Sequence, residues 1–321
     1  MTDDRIHAVL TAPQLARFRE LCQLGDADLT ADFSGWNRHV ILSPDSAFLF
    51  PRHQDGVPGL IREQAALQSL KDHGTPAPQI LGSWQDDGIS PYAFVRISRI
   101  PGDPLGHHSP RTPGEGLRHC VSLDQIVTIM RELGAAIAIW HHIDTNQIDI
   151  QLRKSTTDLD NFATGFDHAA ITPAAGRAAA AAGLTSDHAR RWVELLQPLA
   201  ALAKVFVHGD LHQSQIMIDD TRKITGIIDW EHAGIGHPLK DFDFGEWGFG
   251  IFAWEEHFAT LRQQLWNSYR DSRQGRDLPD WRTMHLYFSI TELAYFSQES
   301  GNDPWTAQRQ RHARALVAEL A

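Results

Sequence analysis

The stretch Val205–Glu231, VFVHGDLHQSQIMIDDTRKITGIIDWE, decides how this chain is read. Val205, Phe206 and Val207 make a brief apolar run that predicts a buried strand, and His208, Gly209, Asp210, Leu211 and His212 break it with polar groups. Ile216 to Ile218 and Ile224 to Ile228 are rich in β-branched residues, separated by Asp219, Asp220, Thr221 and Arg222, which is turn chemistry. The pattern predicts a hairpin that presents Asp210 at one end and Asp229 at the other.

Two carboxylates in that order suit phosphoryl transfer from a nucleotide. One holds the acceptor hydroxyl and takes its proton, while a second, with a nearby amide oxygen, holds magnesium on the triphosphate. Here Asp210 is the candidate base, and Gln215 and Asp229 are the candidate metal ligands. The run HGDLHQSQ, followed after a strand by IDWEHAGIGHPLKD, resembles the aminoglycoside phosphotransferase and choline kinase-like family of small-molecule kinases, whose signature runs HGDLHxxN and then IDWExAGxGDPxxD. That resemblance implies a two-lobed, protein-kinase-like α+β fold, with a small β-rich N-lobe over residues 1–100 and a larger, mostly helical C-lobe over 101–321. Gln215 stands where most of the family has Asn, and offers the same amide oxygen one methylene further out. A Gln here also resembles the maltokinase and glucosamine kinase branches. His237 replaces an Asp and is expected to shape its loop, Asp241 to stabilise the catalytic loop. Asp243, Phe244 and Gly245 spell the DFG of protein kinases but lie too far beyond Asp210 to serve as its metal partner.

Toward the N-terminus, Ala12–Cys22 has apolar residues at helical spacing, and Phe33–Asn37 reads as a turn before a strand at His39–Leu42, where the family places its phosphate-covering loop. The next strand, Ser46–Arg52, has Leu49 where the family carries a Lys or Arg for the α- and β-phosphates. The run GWNRHVIL to LFPR resembles the viomycin-type phosphotransferases, and the phosphate role goes to Arg52, with Arg38 as substitute. Alternation puts Arg52 on the face of Phe48 and Phe50, opposite Leu49. Gly59–Leu70 reads as an amphipathic helix ending before Thr75-Pro76-Ala77-Pro78, and the resemblance makes its Glu63 the partner of the strand cation. Tyr92–Ile100 matches the hinge strand, so the carbonyl of Ser98 and the amide of Ile100 are expected to face adenine.

Beyond a loop at His107–Gly116, the chain turns helical. Ile126, Ile129, Met130, Leu133, Ile137 and Trp140 predict the central buried helix. Helices follow at Asp158–Ala170, Ala174–Ala182 and Thr185–Leu202, and later at Trp254–Leu265, Trp281–Ser297 and Ala307–Leu320. In the family the acceptor lies against the late helices. Glu292, Tyr295 and Glu299, at spacings of three, four and seven, are expected to form an acidic, aromatic acceptor pocket with Glu246 and Trp247.

Composition bounds the reading. A net charge of -11 in 321 residues argues against nucleic acid, which needs clustered Lys and Arg, and suits a cationic acceptor. Two distant cysteines, Cys22 and Cys120, give no disulfide framework, and the acidic N-terminus lacks the basic and apolar regions of a secretory signal, so a reducing cytoplasm and no membrane are expected. Neither HExxH nor paired CxxC accompanies the 18 histidines. The sequence therefore predicts a phosphotransferase using ATP, with GTP as the alternative, and Mg2+. The acceptor would be a small polar molecule, an aminoglycoside or basic peptide antibiotic before a metabolic sugar or amino alcohol. A chain that binds nucleotide without turnover is the competing class.

Overall fold

The computed structural model describes residues 4–33, 37–106, 121–153, 168–242, 257–274 and 278–297, and positions 310, 311, 314, 315, 317 and 318. Strands β1 (Thr30–Asp32), β2 (Arg38–Leu42), β3 (Ser46–Pro51), β4 (Ile80–Trp84) and β5 (Phe94–Ser98) form an antiparallel sheet in the order β1-β2-β3-β5-β4. The pleat of β3 sorts its side chains between two cores. Phe48 and Phe50 pack with Ile41 and Phe94 under Phe18 of helix α1 (Ala12–Leu21), with Phe18 edge-on to Phe48 at 4.8 Å. Ala47 and Leu49 face the other way, onto Leu60, Ala66 and Leu67 of helix α2 (Val57–Leu70).

Cross-strand register then sorts the two candidate cations onto opposite faces of the sheet. Val40 lies opposite Leu49 and Arg38 opposite Pro51, so Arg38, Val40 and Leu49 share one face of the sheet. Arg52 lies past the end of β3, and its Nε meets His39 Nδ1 at 3.4 Å on the opposite face.

From β5 the chain passes onto the second lobe through Gly102. Its φ of +94° is one that favours glycine, and a Cβ there would lie 2.1 Å from the Ile218 carbonyl oxygen. This close pass lets β6 (Asp103–Pro104) pair with β8 (Ile216–Ile218), which forms a hairpin with β9 (Ile224–Ile227). Strand β7 (Val205–Val207) stays outside the hairpin and pairs antiparallel with β10 (Gly234–Gly236). The sequence reading did not anticipate β10, because two of its three residues are glycine, which is depleted in strands. A further difference concerns the two carboxylates. Ile216 faces Ile227, so Asp210 before the hairpin and Asp229 after it both come to its open end instead of to opposite ends.

Most of the remaining described residues are helical. Helix α3 (Leu123–His141) begins at Ser122, whose hydroxyl accepts the Gln125 N–H, and buries Ile126, Ile129, Met130, Leu133, Ile137 and Trp140. It is followed by α4 (His168–Ala181), α5 (Ser186–Leu195), α6 (Phe258–Ser272) and α7 (Trp281–Phe296). The helix expected to run to Leu202 stops at Leu195 and resumes only as the turn Gln197–Ala200, because Pro198 cannot donate to the helix before it. The loop at 107–116, the segment 158–167, Trp254 and most of 307–320 lie outside the described residues.

Helices α3 and α6 meet at Gly134, where an added Cβ would stand 2.2 Å from the Leu265 carbonyl oxygen. Gly134→Ala should therefore destabilise the fold by about 1–3 kcal/mol through overpacking, against a helix-propensity gain of up to about 1 kcal/mol. Urea unfolding would check this, and an unchanged or raised midpoint would contradict the close approach.

Candidate active site

The loop that carries Asp210 is held by one buried carboxylate. Asp241 lies in the turn Pro238–Phe242 and is fully buried. Its Oδ2 accepts from the His208 backbone N–H at 2.9 Å and from Trp140 Nε1 at 2.7 Å, and its Oδ1 accepts from the Gly209 N–H at 2.9 Å. His141 Nε2, 3.1 Å from Oδ2, completes the set, while its Nδ1 lies 3.0 Å from the Tyr269 hydroxyl. Those partners set the tautomer: Nε2–H donates to Asp241 and Nδ1 accepts from Tyr269. Burial pushes the Asp241 carboxyl up, but the His141 hydrogen bond, the neighbouring histidines and the backbone donor outweigh it and hold the carboxyl below the ordinary range. Burial keeps His141 neutral by lowering its pKa. Gly209 stands at φ +87°, and a Cβ there would also sit 2.3 Å from the His232 carbonyl oxygen, so the position requires glycine. With the loop backbone so pinned, the Asp210 side chain remains 43% exposed at the open end of the hairpin.

Asp229, 40% exposed at its side chain, sits at φ 68°, ψ 61°. This left-handed turn directs the next N–H, of Trp230, to Glu63 Oε1 at 3.3 Å. Around it the structure gathers a charge cluster. The buried Arg38 guanidinium pairs through Nη1 with Glu63 and through Nη2 with Asp229, and the same Nη2 lies 2.9 Å from Glu231 Oε2. Glu231 Oε1 accepts from Asn37 Nδ2 at 3.2 Å and lies 3.6 Å from His232 Nε2. Burial pushes the Glu231 carboxyl up, but the His232 hydrogen bond and the charges of Arg38 and His232 bring it down to about 2. The same contact with Glu231 raises the His232 pKa against burial.

The partner of Glu63 is thus Arg38, and Arg52 is not in that cluster. Gln215 is buried, with Oε1 accepting the His212 N–H at 2.9 Å and Nε2 2.7 Å from His212 Nε2. His212 Nδ1 accepts the Ser214 N–H at 3.3 Å and lies 3.0 Å from Ser214 Oγ, and its Nε2 comes within 3.9 Å of Asp210 Oδ2. Gln215 also meets the second carboxylate's strand, since its carbonyl accepts the Ile228 N–H at 3.0 Å. His237 donates from Nε2 to the Leu199 carbonyl at 2.9 Å and accepts the Leu239 N–H at 3.2 Å, a role in loop shape. At the expected hinge, the Gln79 N–H goes to Ser98 Oγ at 2.9 Å, and Ile100 packs over Gly226 of β9.

The late helices differ from the expected acidic face. Glu292 is only 8% exposed and pairs with buried Arg262 across α6 and α7, whereas Tyr295 is 48% exposed. Two residues three apart in sequence thus point to different surroundings, and the Glu292 charge is neutralised inside the helix pair. Glu246, Trp247 and Glu299, with Asp243, lie outside the described residues. The sequence reading missed the contacts of Glu231, Asn37 and His232. Glu231 stood inside the quoted motif, and only the fold reveals what it touches.

Comparison with known proteins agrees with this architecture. The chain matches the phosphotransferase enzyme family over residues 29–287. Viomycin phosphotransferase of Streptomyces vinaceus is 26% identical over 216 residues, covering 64% of this chain and 69% of that protein. The uncharacterized protein YcbJ of Bacillus subtilis is 35% identical over 89 residues, 28% of this chain and 25% of that protein. Among solved structures, macrolide 2'-phosphotransferase MphH of Brachybacterium faecium superposes with a TM-score of 0.54 at 18% identity, over 94% of this chain and 97% of that one. The GDP complex of aminoglycoside 2'-phosphotransferase-IIIa gives a TM-score of 0.54 at 15% identity, over 97% and 100%. At these identities the solved structures establish the two-lobed, kinase-like α+β fold.

The Asp241 network makes a pH-dependent contribution to stability. Because its carboxyl is held below the ordinary Asp value of 3.8, the contribution is fully present above that value and is lost as the pH falls through the lowered one. Asp241→Asn sets an amide against these N–H donors and should cost about 3 kcal/mol near neutral pH, with a smaller difference from the parent in acid. Urea midpoints between pH 2.5 and 7 would show this convergence, and parallel curves would contradict it.

Proposed function

Because the chain belongs to the phosphotransferase enzyme family and so transfers a phosphoryl group to an alcohol, we propose that it moves the γ-phosphoryl group of ATP to a hydroxyl of a small cationic antibiotic. The observation that carries this reading is the meeting of Asp210, Asp229 and the Arg38–Glu63 pair at the open end of one hairpin. Asp210 has a side chain 43% exposed and its backbone fixed before it by the Gly209 N–H and after it by the His212 N–H, which suits a group that must orient an acceptor hydroxyl and take its proton. Asp229 and Gln215 supply a carboxylate and an amide oxygen. That donor chemistry fits magnesium, which binds through one or two protein oxygens and completes its shell with water and phosphate. When bound, the ion would neutralise charge on the phosphates.

In this reading the phosphate-facing cation is Arg38. It shares the Leu49 face of the sheet, reaches both Glu63 and Asp229, and takes the role first given to Arg52. A cation in that place favours turnover over nucleotide binding alone. Ser98 and Ile100 remain the hinge candidates for adenine. For the acceptor, the relative named for viomycin and the net charge of -11 both favour a cationic antibiotic. Tyr295 is the exposed aromatic candidate on the late helices; Glu292 is dropped from the pocket because Arg262 neutralises it.

Asp210→Asn should lower kcat by about 10²- to 10⁴-fold with little change in MgATP affinity. Arg38→Met should weaken MgATP by roughly 10- to 100-fold, the loss of a charge-assisted contact, while Arg52→Met leaves it near the parent. Phosphate transfer from labelled ATP to viomycin-type peptides, aminoglycosides, macrolides and sugars, with nucleotide titrations beside it, reads all three. Full turnover in Asp210→Asn would overturn the base assignment, and a larger effect at Arg52 than at Arg38 would return the phosphate role to Arg52.

A further inference from the structure

We propose that Glu231 is the positioning residue for Arg38, keeping its guanidinium beside the phosphate site when the Asp229 carboxylate turns to metal. The inference rests on the phosphotransferase reading above. Asp229 and Glu231 share one nitrogen of Arg38, Nη2, while Glu63 holds the other, Nη1. Arg38 Nη2 is paired with Asp229 through Oδ1, and a divalent cation held by that carboxylate would compete with the guanidinium for its charge and weaken the Asp229–Arg38 pair. Glu63 alone would then hold the guanidinium at one nitrogen and leave its plane free to turn. Glu231 supplies the second fixed point, 2.9 Å from Nη2.

Two further observations indicate that Glu231 is built for this place. Its Oε1 is fixed by Asn37 at 3.2 Å and approached by His232 at 3.6 Å, which leaves Oε2 directed at Arg38. The second observation lies on α2. Gly59 sits in the first turn of the helix, where no positive φ calls for glycine. A Cβ at that position would stand 2.9 Å from Glu231 Oε2. The glycine thus clears the space in which the carboxylate meets Arg38. A larger residue would be accommodated by moving the end of the Glu231 side chain, which is flexible, and not by shifting backbone.

The test is calorimetric titration of MgATP into the full chain and its variants without acceptor, with melting temperatures recorded for each. Glu231→Gln should bind MgATP about 10-fold more weakly, as expected on losing one charge-assisted hydrogen bond, while Glu231→Asp recovers part of the loss. In an Arg38→Met background the same change should have little further effect, because the interaction it serves is already gone. Gly59→Ala should melt at or above the parent temperature and still bind MgATP several-fold more weakly, a combination that a purely structural role does not produce. Parent-like binding in Glu231→Gln, or a full additive loss on Arg38→Met, would overturn the proposal while leaving the phosphotransferase reading intact. If Glu231→Gln fails to fold, Gly59→Ala decides, and parent-like affinity there sinks the idea. A parent chain that binds no MgATP would overturn both the reading and this inference.

Discussion

The structure depends on one buried guanidinium. Arg38 comes from strand β2, Glu63 from helix α2, and Asp229 and Glu231 from the corner after β9, so a single cation joins the sheet, the helix behind it and the catalytic hairpin. A buried charge loses several kcal/mol of hydration, and only partners in good geometry recover it. The two lobes are therefore placed by the need to surround Arg38, as well as by the apolar core that runs from Leu49 and Leu60 through Trp230 to the helices. The corner meets α2 again where Arg62 Nη1 donates to the Ala233 carbonyl at 3.2 Å.

Asp241 is the opposite device. Arg38 is a cation among acceptors, and Asp241 is an anion among donors: two backbone N–H groups, an indole and an imidazole. One orders the part of the site that lies between the lobes, and the other orders the backbone that carries Asp210. Neither side chain reaches far into solvent, so both act by fixing neighbours. Asp210 can then stay substantially exposed, because its backbone and not its side chain carries the structural duty, while Asp229 is as exposed although its Oδ1 pairs with Arg38.

What the sequence disclosed and what it concealed divide by range. Asp210, Gln215 and Asp229 lie within one hairpin's length, and β-branched runs around a polar turn are enough to bring them together. The partner of Glu63 was harder, because Arg38 and Arg52 both flank Leu49 and the choice depends on the β2–β3 register together with the pleat. Alternation alone already placed Arg52 on the wrong face, and the contact with His39 agrees. Glu292 misled for a related reason. Helical spacing groups it with Tyr295, but its surroundings are set by Arg262, thirty positions earlier on another helix. Strand β10 and the Asp241 donors had no local signal, since a Gly-Ile-Gly strand and a buried His-Asp contact exist only through what packs on them.

The charge around Arg38 gives the last step. Three carboxylates, Glu63, Asp229 and Glu231, surround one guanidinium, so the cluster holds more negative than positive charge even with His232 protonated beside it. Like charges at such separations in a partly buried site repel strongly, because the low local dielectric does not screen them as water would. A purely structural cluster has less need of a third carboxylate, which adds repulsion and desolvation cost at Nη2, a nitrogen that one carboxylate already pairs. The excess has a rationale if the site is completed from outside by further positive charge, and the carboxylate best placed to accept it is Asp229. Glu63 is buried against Arg38 and the Trp230 N–H, and Glu231 is held by Asn37 and Arg38, whereas Asp229 opens toward the cleft where Asp210 also stands.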